Sequence, residues 1–349
     1  MPSLAVIKPA ISKLPNTSPV VAVLPGGTTG IGAYIAKALA STFAHHGSKL
    51  RVYIVGRNAS RAEEVIADCI ATCSGSDWRF VQTPDLALVS EVDRCCAEII
   101  RQEKEAVRES GEAPKIDMLY MTYSYFLLKE RSTTKEGVDA FIATVYYTRI
   151  RFIMQLLPLL TASRLPATVV SVYAGSFEDG TKAGEFPIGC PSDAAYSINT
   201  VRKHTSFMKT FLFEELAEQY SGKIRFTHIY PGLVDGPGFT NPEAPTWFKI
   251  VWRILKPLMS WYMTSPEVCG QVMLYLATES YPAHNSNNPE VGVARSSQGQ
   301  IGDGAYSVGQ RGDSQKGIMY EKVRQADTRR KIWDHTMETL DMAEKAGRR

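Results

Sequence analysis

The glycine-rich turn at residues 26–32, set between a strand and a helix, limits this chain more than any other feature. Pro19–Leu24 is short, apolar and β-branched, and it runs straight into Gly26-Gly27-Thr28-Thr29-Gly30-Ile31-Gly32. From Ile31 to Phe43 the apolar residues recur with helical period. The alternation then repeats down the chain. Strands are expected at Leu50–Val55, Trp78–Gln82, Ile116–Met121, Thr168–Val172 and Ile224–Ile229. Helices are expected between them at Ser60–Cys73, Ser90 to about Arg108, Val138–Leu160 and Ala194–Tyr220. Strands alternating with helices of this length imply crossovers and a parallel sheet. Helices then cover both faces, and a ligand binds beyond the carboxyl ends of the strands. The expected fold is one doubly wound α/β domain.

With 349 residues, 44% of them hydrophobic and 21% charged, the chain can bury a core of that kind. A net charge of +3 and the lack of any Lys/Arg block exclude a nucleic-acid footprint. The cysteines, Cys69, Cys73, Cys95, Cys96, Cys190 and Cys269, form no CxxC pair and no Cys/His spacing suited to zinc. No metal site is expected, and the chain reads as cytoplasmic. Met1–Asn16 lacks the apolar stretch of a signal peptide, and no apolar run is long enough to span a bilayer. Residues 1–18 read as an N-terminal extension and 19–281 as the Rossmann-type domain, with a lid at 243–263. Residues 282–349 read as a loop-rich tail, with a last strand near Gly299–Tyr306 and a helix at Tyr320–Lys345.

Glycines let the backbone turn tightly against a pyrophosphate, and the helix that follows offers free N–H groups and a positive dipole end. At the first strand–helix junction of such an array, Gly26, Thr28, Gly30, Ile31 and Gly32 are the expected dinucleotide-binding residues. The plainer alternative is an ordinary tight turn. After the second expected strand the chain reads Gly56-Arg57-Asn58, with no acid to take ribose hydroxyls. Arg57 would grip a 2′-phosphate, which favours NADP(H), unless it is simply a solvated arginine.

These residues resemble the short-chain dehydrogenase/reductase family over roughly Val20 to Thr278. Gly26, Gly30 and Gly32 meet its Gly-x-x-x-Gly-x-Gly turn. Asp85-Leu86 is similar to its adenine-binding Asp, and Pro231-Gly232-Leu233-Val234 to its Pro-Gly loop beside the nicotinamide. The resemblance thus adds Asp85, Pro231, Gly232 and Val234 to the cofactor residues. Thr134-Lys135-Glu136-Gly137 and Ala326-Asp327…Trp333 resemble the retinol-dehydrogenase-like branch. Tyr146-Tyr147-Thr148-Arg149 resembles fungal secondary-metabolism members.

The departures fall on the catalytic positions. Tyr196 stands at the Tyr of the family's Tyr-x-x-x-Lys, but the Lys position holds Thr200. A free Tyr has a pKa near 10 and needs a nearby cation to act at working pH. Lys203 lies seven residues on, about 10 Å further along a helix. The family's Ser aligns with Ala174, and Ser176 is the candidate replacement. Its helix Asn aligns with Val145, and its Asn-Ala-Gly turn with Thr122-Tyr123-Ser124, where the bulk of Tyr123 would crowd a cofactor. Tyr196 and Ser176 are the catalytic candidates. His204, Lys203 and Arg202 read as packed or solvated helix residues, and Tyr125…Lys129 as a chance match.

The resemblance implies NADP(H)-linked reduction of a carbonyl, or the reverse, on a bulky hydrophobic small molecule such as a secondary metabolite. Two other readings stay open: a non-redox dehydration, isomerisation or cyclisation on the same fold, and a scaffold without turnover. Trp247, Phe248, Val251, Trp252, Ile254, Leu255, Leu258 and Trp261 read first as a lid over an apolar substrate or a helix packed on the core. Contact with a second copy in a homo-oligomer and contact with a membrane surface are the further possibilities.

Overall fold

The strands of the computed structural model are β1 (Val20–Pro25), β2 (Leu50–Gly56), β3 (Asp77–Gln82), β4 (Met118–Met121), β5 (Ala167–Val172), β6 (Ile224–Ile229) and β7 (Ala305–Val308). The structure describes residues 3–16, 18–125, 131–173, 181–182, 184–237, 246–259, 261–286, 292–310, 312 and 324–348. β1, β4, β5, β6 and β7 are buried at every position. That continuous burial is what a strand covered on both faces shows. All seven pair in parallel, in the order β3-β2-β1-β4-β5-β6-β7. The order reverses between β1 and β4, so the crevice for a ligand opens at the carboxyl ends of those two strands. This is the doubly wound, Rossmann-type architecture expected from the alternation.

The helices are α1 (Leu4–Ile11), α2 (Gly30–Thr42), α3 (Ala59–Thr72), α4 (Val89–Ala106), α5 (Ala140–Ile142), α6 (Thr148–Thr161), α7 (Ile198–Gln219), α8 (Thr246–Met259), α9 (Pro266–Tyr275) and α10 (Thr328–Gly347). One face of the sheet carries α4, α6, α7 and α10, packed through Val92, Cys95, Phe152, Leu156, Phe207 and Leu340. The other carries α1, α2, α3 and α9, packed through Ile7, Ile35, Val65 and Met273. Both ends of the chain therefore join the domain. α1 buries Ile7 and Ile11, and β7 extends the sheet beyond β6. The boundary drawn at residue 281 cuts through this unit rather than closing it.

Two helices differ from expectation, each for a local reason. The long helix foreseen at Val138–Leu160 is split by a π-helical turn, Ala143–Tyr147, between α5 and α6. The wider turn frees backbone carbonyls, and two side chains one turn on take them up. Thr148 Oγ1 donates to the Ala143 carbonyl at 2.8 Å, and Arg149 Nε to that of Thr144 at 2.9 Å. α7 begins at Ile198, not at Ala194, because Ser197 Oγ caps it by accepting the Thr200 N–H at 3.1 Å. Tyr196 thus precedes the helix instead of riding on it.

The tail is fastened by a buried carboxylate. Glu214, on α7 and 1% exposed, accepts both Nη groups of Arg324 at 2.7 and 2.9 Å, Arg329 Nε at 3.3 Å and Ser297 Oγ at 2.7 Å. Tyr146 and Tyr147 of the π turn bond to Thr336 and His335 of α10 at 2.8 and 2.7 Å. Glu214→Ala removes the acceptor that two half-buried guanidinium groups share, although Arg329 keeps its pair with Glu218 at 2.6 Å. Because both arginines can relax toward water, the expected cost is roughly 2 kcal/mol, read by urea unfolding. Early proteolytic cleavage ahead of α10 should accompany it. An unchanged unfolding midpoint and cleavage pattern would show that α10 is held by its apolar face alone.

Candidate cofactor and catalytic site

β1 delivers the chain into Gly26, whose φ of +88° belongs to the left-handed region. A Cβ there would stand 2.7 Å from both Thr122 Oγ1 and the Tyr123 backbone nitrogen, so the loop after β4 lies directly against this turn. A Cβ on Gly32 would meet the same Thr122 Oγ1 at 2.7 Å and collide with the Gly26 carbonyl. Gly26 and Gly32 are therefore needed for close packing of turn, helix and β4 loop. Gly30 is different: its φ is +54°, and a Cβ built there meets nothing within 4 Å. The turn is closed toward the protein and open at the first turn of α2, where free N–H groups face outward. That is the shape a pyrophosphate requires. Thr28 packs on Gly56 at the end of β2, and Ile31 packs against the core beneath α2.

The remaining residues expected to meet a cofactor lie in the loops after β2, β3 and β6. Arg57, just past β2, is exposed and makes no ion pair among the described residues, while Asn58 caps α3 by accepting the Arg61 N–H at 2.9 Å. Asp85 accepts the Ala87 N–H at 2.9 Å and the Tyr125 hydroxyl at 2.5 Å, so it is oriented from both sides. Gly232 has φ +74° and lies against the Gln310 side chain, which donates to Thr264 Oγ1 at 3.0 Å. Val234 forms a bridge with Thr264, pinning the Pro231–Gly232 loop to the segment that follows α8.

Tyr123 does not fill the cofactor crevice. Its ring turns down onto Phe152, with 6.1 Å between centroids, and its hydroxyl bonds Thr148 Oγ1 at 3.0 Å. The crowding expected from its bulk is absent because the π turn presents Thr148 as a partner deep in the domain.

Behind Tyr123 lies Arg149, fully buried. Besides the Thr144 carbonyl, it donates to Ser171 Oγ at 2.9 Å, to the Val172 carbonyl at 3.0 Å and to the Tyr123 carbonyl at 2.5 Å. All four acceptors are neutral, and burial pushes the guanidinium down to about 10. Tyr173, the next residue after β5, shares the face of Ser171. Its ring meets Phe141 edge-on at 5.8 Å, and Lys209 Nζ lies 5.7 Å from its centre. Burial raises the phenol to about 12, while Arg202 and Arg149 pull against that rise.

Tyr196 stands elsewhere. Its hydroxyl donates to Asp139 Oδ1 at 3.2 Å, and the Arg131 guanidinium stacks 4.5 Å above its ring. Burial and the Asp139 carboxylate both push its pKa up, the opposite of what a neighbouring lysine would do. Ser176 and Ala174 lie outside the described residues. Lys203 pairs with Glu185 instead of being solvated, and His204 bonds the Gly189 carbonyl at 2.9 Å, its pKa lowered by burial. Among the described residues no cluster suited to a metal occurs.

No family model matches the chain. It is 56% identical over 347 residues to the short-chain dehydrogenase/reductase SAT2 of Stachybotrys chartarum, covering 98% of this chain and 97% of that protein. The chain belongs to the short-chain dehydrogenase/reductase family. It is also 32% identical over 352 residues to oxidoreductase andH of Emericella variicolor, covering 97% of each. Among solved structures, L-sorbose reductase from Gluconobacter frateurii, complexed with NADPH and L-sorbose, superposes with a TM-score of 0.51 at 20% identity. That match covers 75% of this chain and 90% of the other, and it carries the fold.

Membership in the short-chain dehydrogenase/reductase family sharpens what sequence reading missed. The polar groups gathered at the carboxyl end of β5 are Arg149, Ser171, Tyr173, Arg202 and Lys209. Arg202 reads from the sequence as a solvated helix residue and Lys209 draws no notice; seven residues apart, they share one helical face. The sequence did carry a signal: Lys209 stands inside the largely apolar stretch Phe207–Phe213 of a helix that must face a core. Arg149→Met removes the donor to three buried carbonyls and one hydroxyl. At about 1–3 kcal/mol for each stranded acceptor, partly relieved by relaxation, a loss of about 3–5 kcal/mol is expected in urea unfolding. Arg149→Lys should restore only part, since a point charge cannot reach both strands. A loss below about 1 kcal/mol would mean that water replaces the guanidinium.

Proposed function

We propose that the chain is an NADP(H)-dependent oxidoreductase that interconverts a carbonyl and an alcohol on a bulky hydrophobic small molecule. The observation that carries this reading is the glycine cradle, packed shut by Gly26 and Gly32 and open at Gly30, with Arg57 beside it at the end of β2. No acid stands at the end of β2, where it would repel a 2′-phosphate. The oxidoreductase names of the relatives and the NADPH in the L-sorbose reductase complex support the same reading.

Gly30 and the first N–H groups of α2 would hold the pyrophosphate, Arg57 the 2′-phosphate, Asp85 the adenine and Pro231–Gly232 the nicotinamide end. Bound NADPH would supply the hydride. The chain must supply a proton to the developing alkoxide. Tyr173 suits that task better than Tyr196. It stands at the carboxyl end of β5 with cations of α6 and α7 around it, whereas Tyr196 is tied to a carboxylate. Cations favour the phenolate left after proton transfer; a carboxylate opposes it.

Fluorescence titration of the full chain should give micromolar NADPH binding, weaker NADH binding, and a loss of about ten- to a hundredfold for NADPH in Arg57→Ala. Equal affinity for NADH and NADPH would remove Arg57 from the account, and binding of neither would sink the redox reading. Once a substrate is found, Tyr173→Phe should lower kcat by about a hundredfold or more at unchanged NADPH affinity, with Tyr196→Phe within a few-fold of wild type. The reverse pattern would return the proton to Tyr196. Turnover without NADPH consumption would point to a dehydration, isomerisation or cyclisation on this scaffold.

A further inference from the structure

The strongest feature left unused is α8. None of its residues is buried, although most are large and apolar. Trp247, Ile250, Ile254 and Leu258 are 60, 58, 65 and 68% exposed, and Trp261 just beyond is 83% exposed. At about 100° per residue, Trp247, Ile250, Val251, Ile254 and Leu258 fall within an arc of about 100°. Lys249, Arg253 and Lys256 fall on a separate arc at its flank. Phe248, Trp252 and Met259, on another arc, are half-buried. From Thr246 to Met263 there is no acidic residue.

We propose that α8 seats the protein on the surface of a membrane containing acidic lipids. A core helix is excluded by the exposure of its apolar arc. A lid would turn that arc inward, yet it faces out. A second copy of the chain paired through the same helix would bring two acid-free basic stripes together. What fits an apolar strip with basic flanks and a tryptophan near each end is an interface that is apolar below and negative at its surface. Lys256 pairs with Asp235 at 2.8 Å, three residues after Gly232, so the docked helix adjoins the Pro-Gly loop. The crevice would then open close to the bilayer, where a hydrophobic substrate concentrates. This inference does not depend on the cofactor assignment.

The test is co-sedimentation of the full chain with phosphatidylcholine vesicles, with and without phosphatidylserine, together with tryptophan emission. The protein should bind the serine-containing vesicles with a blue shift and bind the neutral ones far more weakly. Changing Lys249, Arg253 and Lys256 together to Gln should weaken that binding by about a hundredfold at low salt. Trp247→Ser with Ile254→Ser and Leu258→Ser should abolish it. The apolar variant changes exposed positions only and should keep the wild-type unfolding midpoint. The basic variant also changes half-buried Lys249 and removes the Lys256–Asp235 pair, so its vesicle binding is read well below its own unfolding midpoint. Equal binding to neutral and acidic vesicles would overturn the electrostatic part. No binding to either would overturn the proposal, and a dimer broken by the apolar variant would assign the face to a second copy.

Discussion

The carboxyl end of this sheet depends on one buried cation. Arg149 ties three segments together: the π turn, the loop after β4 and the last residue of β5. Its reach is possible because the π turn places it one step out of helical register, with Thr148 beside it occupied by the Ala143 carbonyl. The loop so anchored begins at Thr122, the residue against which Gly26 and Gly32 close. The glycine turn on one side and the polar cluster at the end of β5 on the other thus share a single support. Substituting that support should disturb both, even though Arg149 itself is out of reach of solvent.

The fold was legible because it rests on patterns that a sequence carries openly. Apolar runs of strand length, helical periods between them and a glycine turn at the first junction define a doubly wound sheet almost without regard to side-chain detail. Gly26 and Gly32 could be singled out because close approach excludes every other residue. β7 was harder: Ala305–Val308 is only four residues long and lies in a stretch rich in Gly, Ser and Gln. Its place beside β6 comes from tertiary pairing, which no local pattern announces. The embedding of α1 and α10 is of the same kind, since their partners Glu214 and the α9 face lie far away in sequence.

The catalytic side was less legible, and the reason is register. Matching Tyr196 to a family motif assumes that the helix runs through it. The capping bond from Ser197 starts the helix two residues later and leaves Tyr196 in the turn that meets Asp139 and Arg131. A hydrogen bond of about 1 kcal/mol at a helix end therefore takes Tyr196 off α7. The faces of Arg202 and Lys209 are set by the apolar residues that pack α7 on the sheet, and their nearness to Tyr173 could be recognised only once the helix was seen against β5.

The electrostatics of that face bear on the chemistry more than any one residue does. Arg149 spends its hydrogen bonds on neutral oxygens, so its charge is not cancelled where it sits, and even lowered to about 10 it stays protonated at neutral pH. In a region of low dielectric a fixed charge acts over several ångströms with little screening. An oxyanion or phenolate forming at the end of β5 would gain from that field without touching the guanidinium. The family's lysine delivers a positive charge from α7 itself. Here positive charge reaches Tyr173 both from α7, through Arg202 and Lys209, and from behind the strand, through Arg149 on α6, which also holds the loop after β4 in place. Under the proposed function, with Thr200 rather than a lysine after Tyr196, these charges would meet the electrostatic condition for proton transfer at the phenol nearest β5.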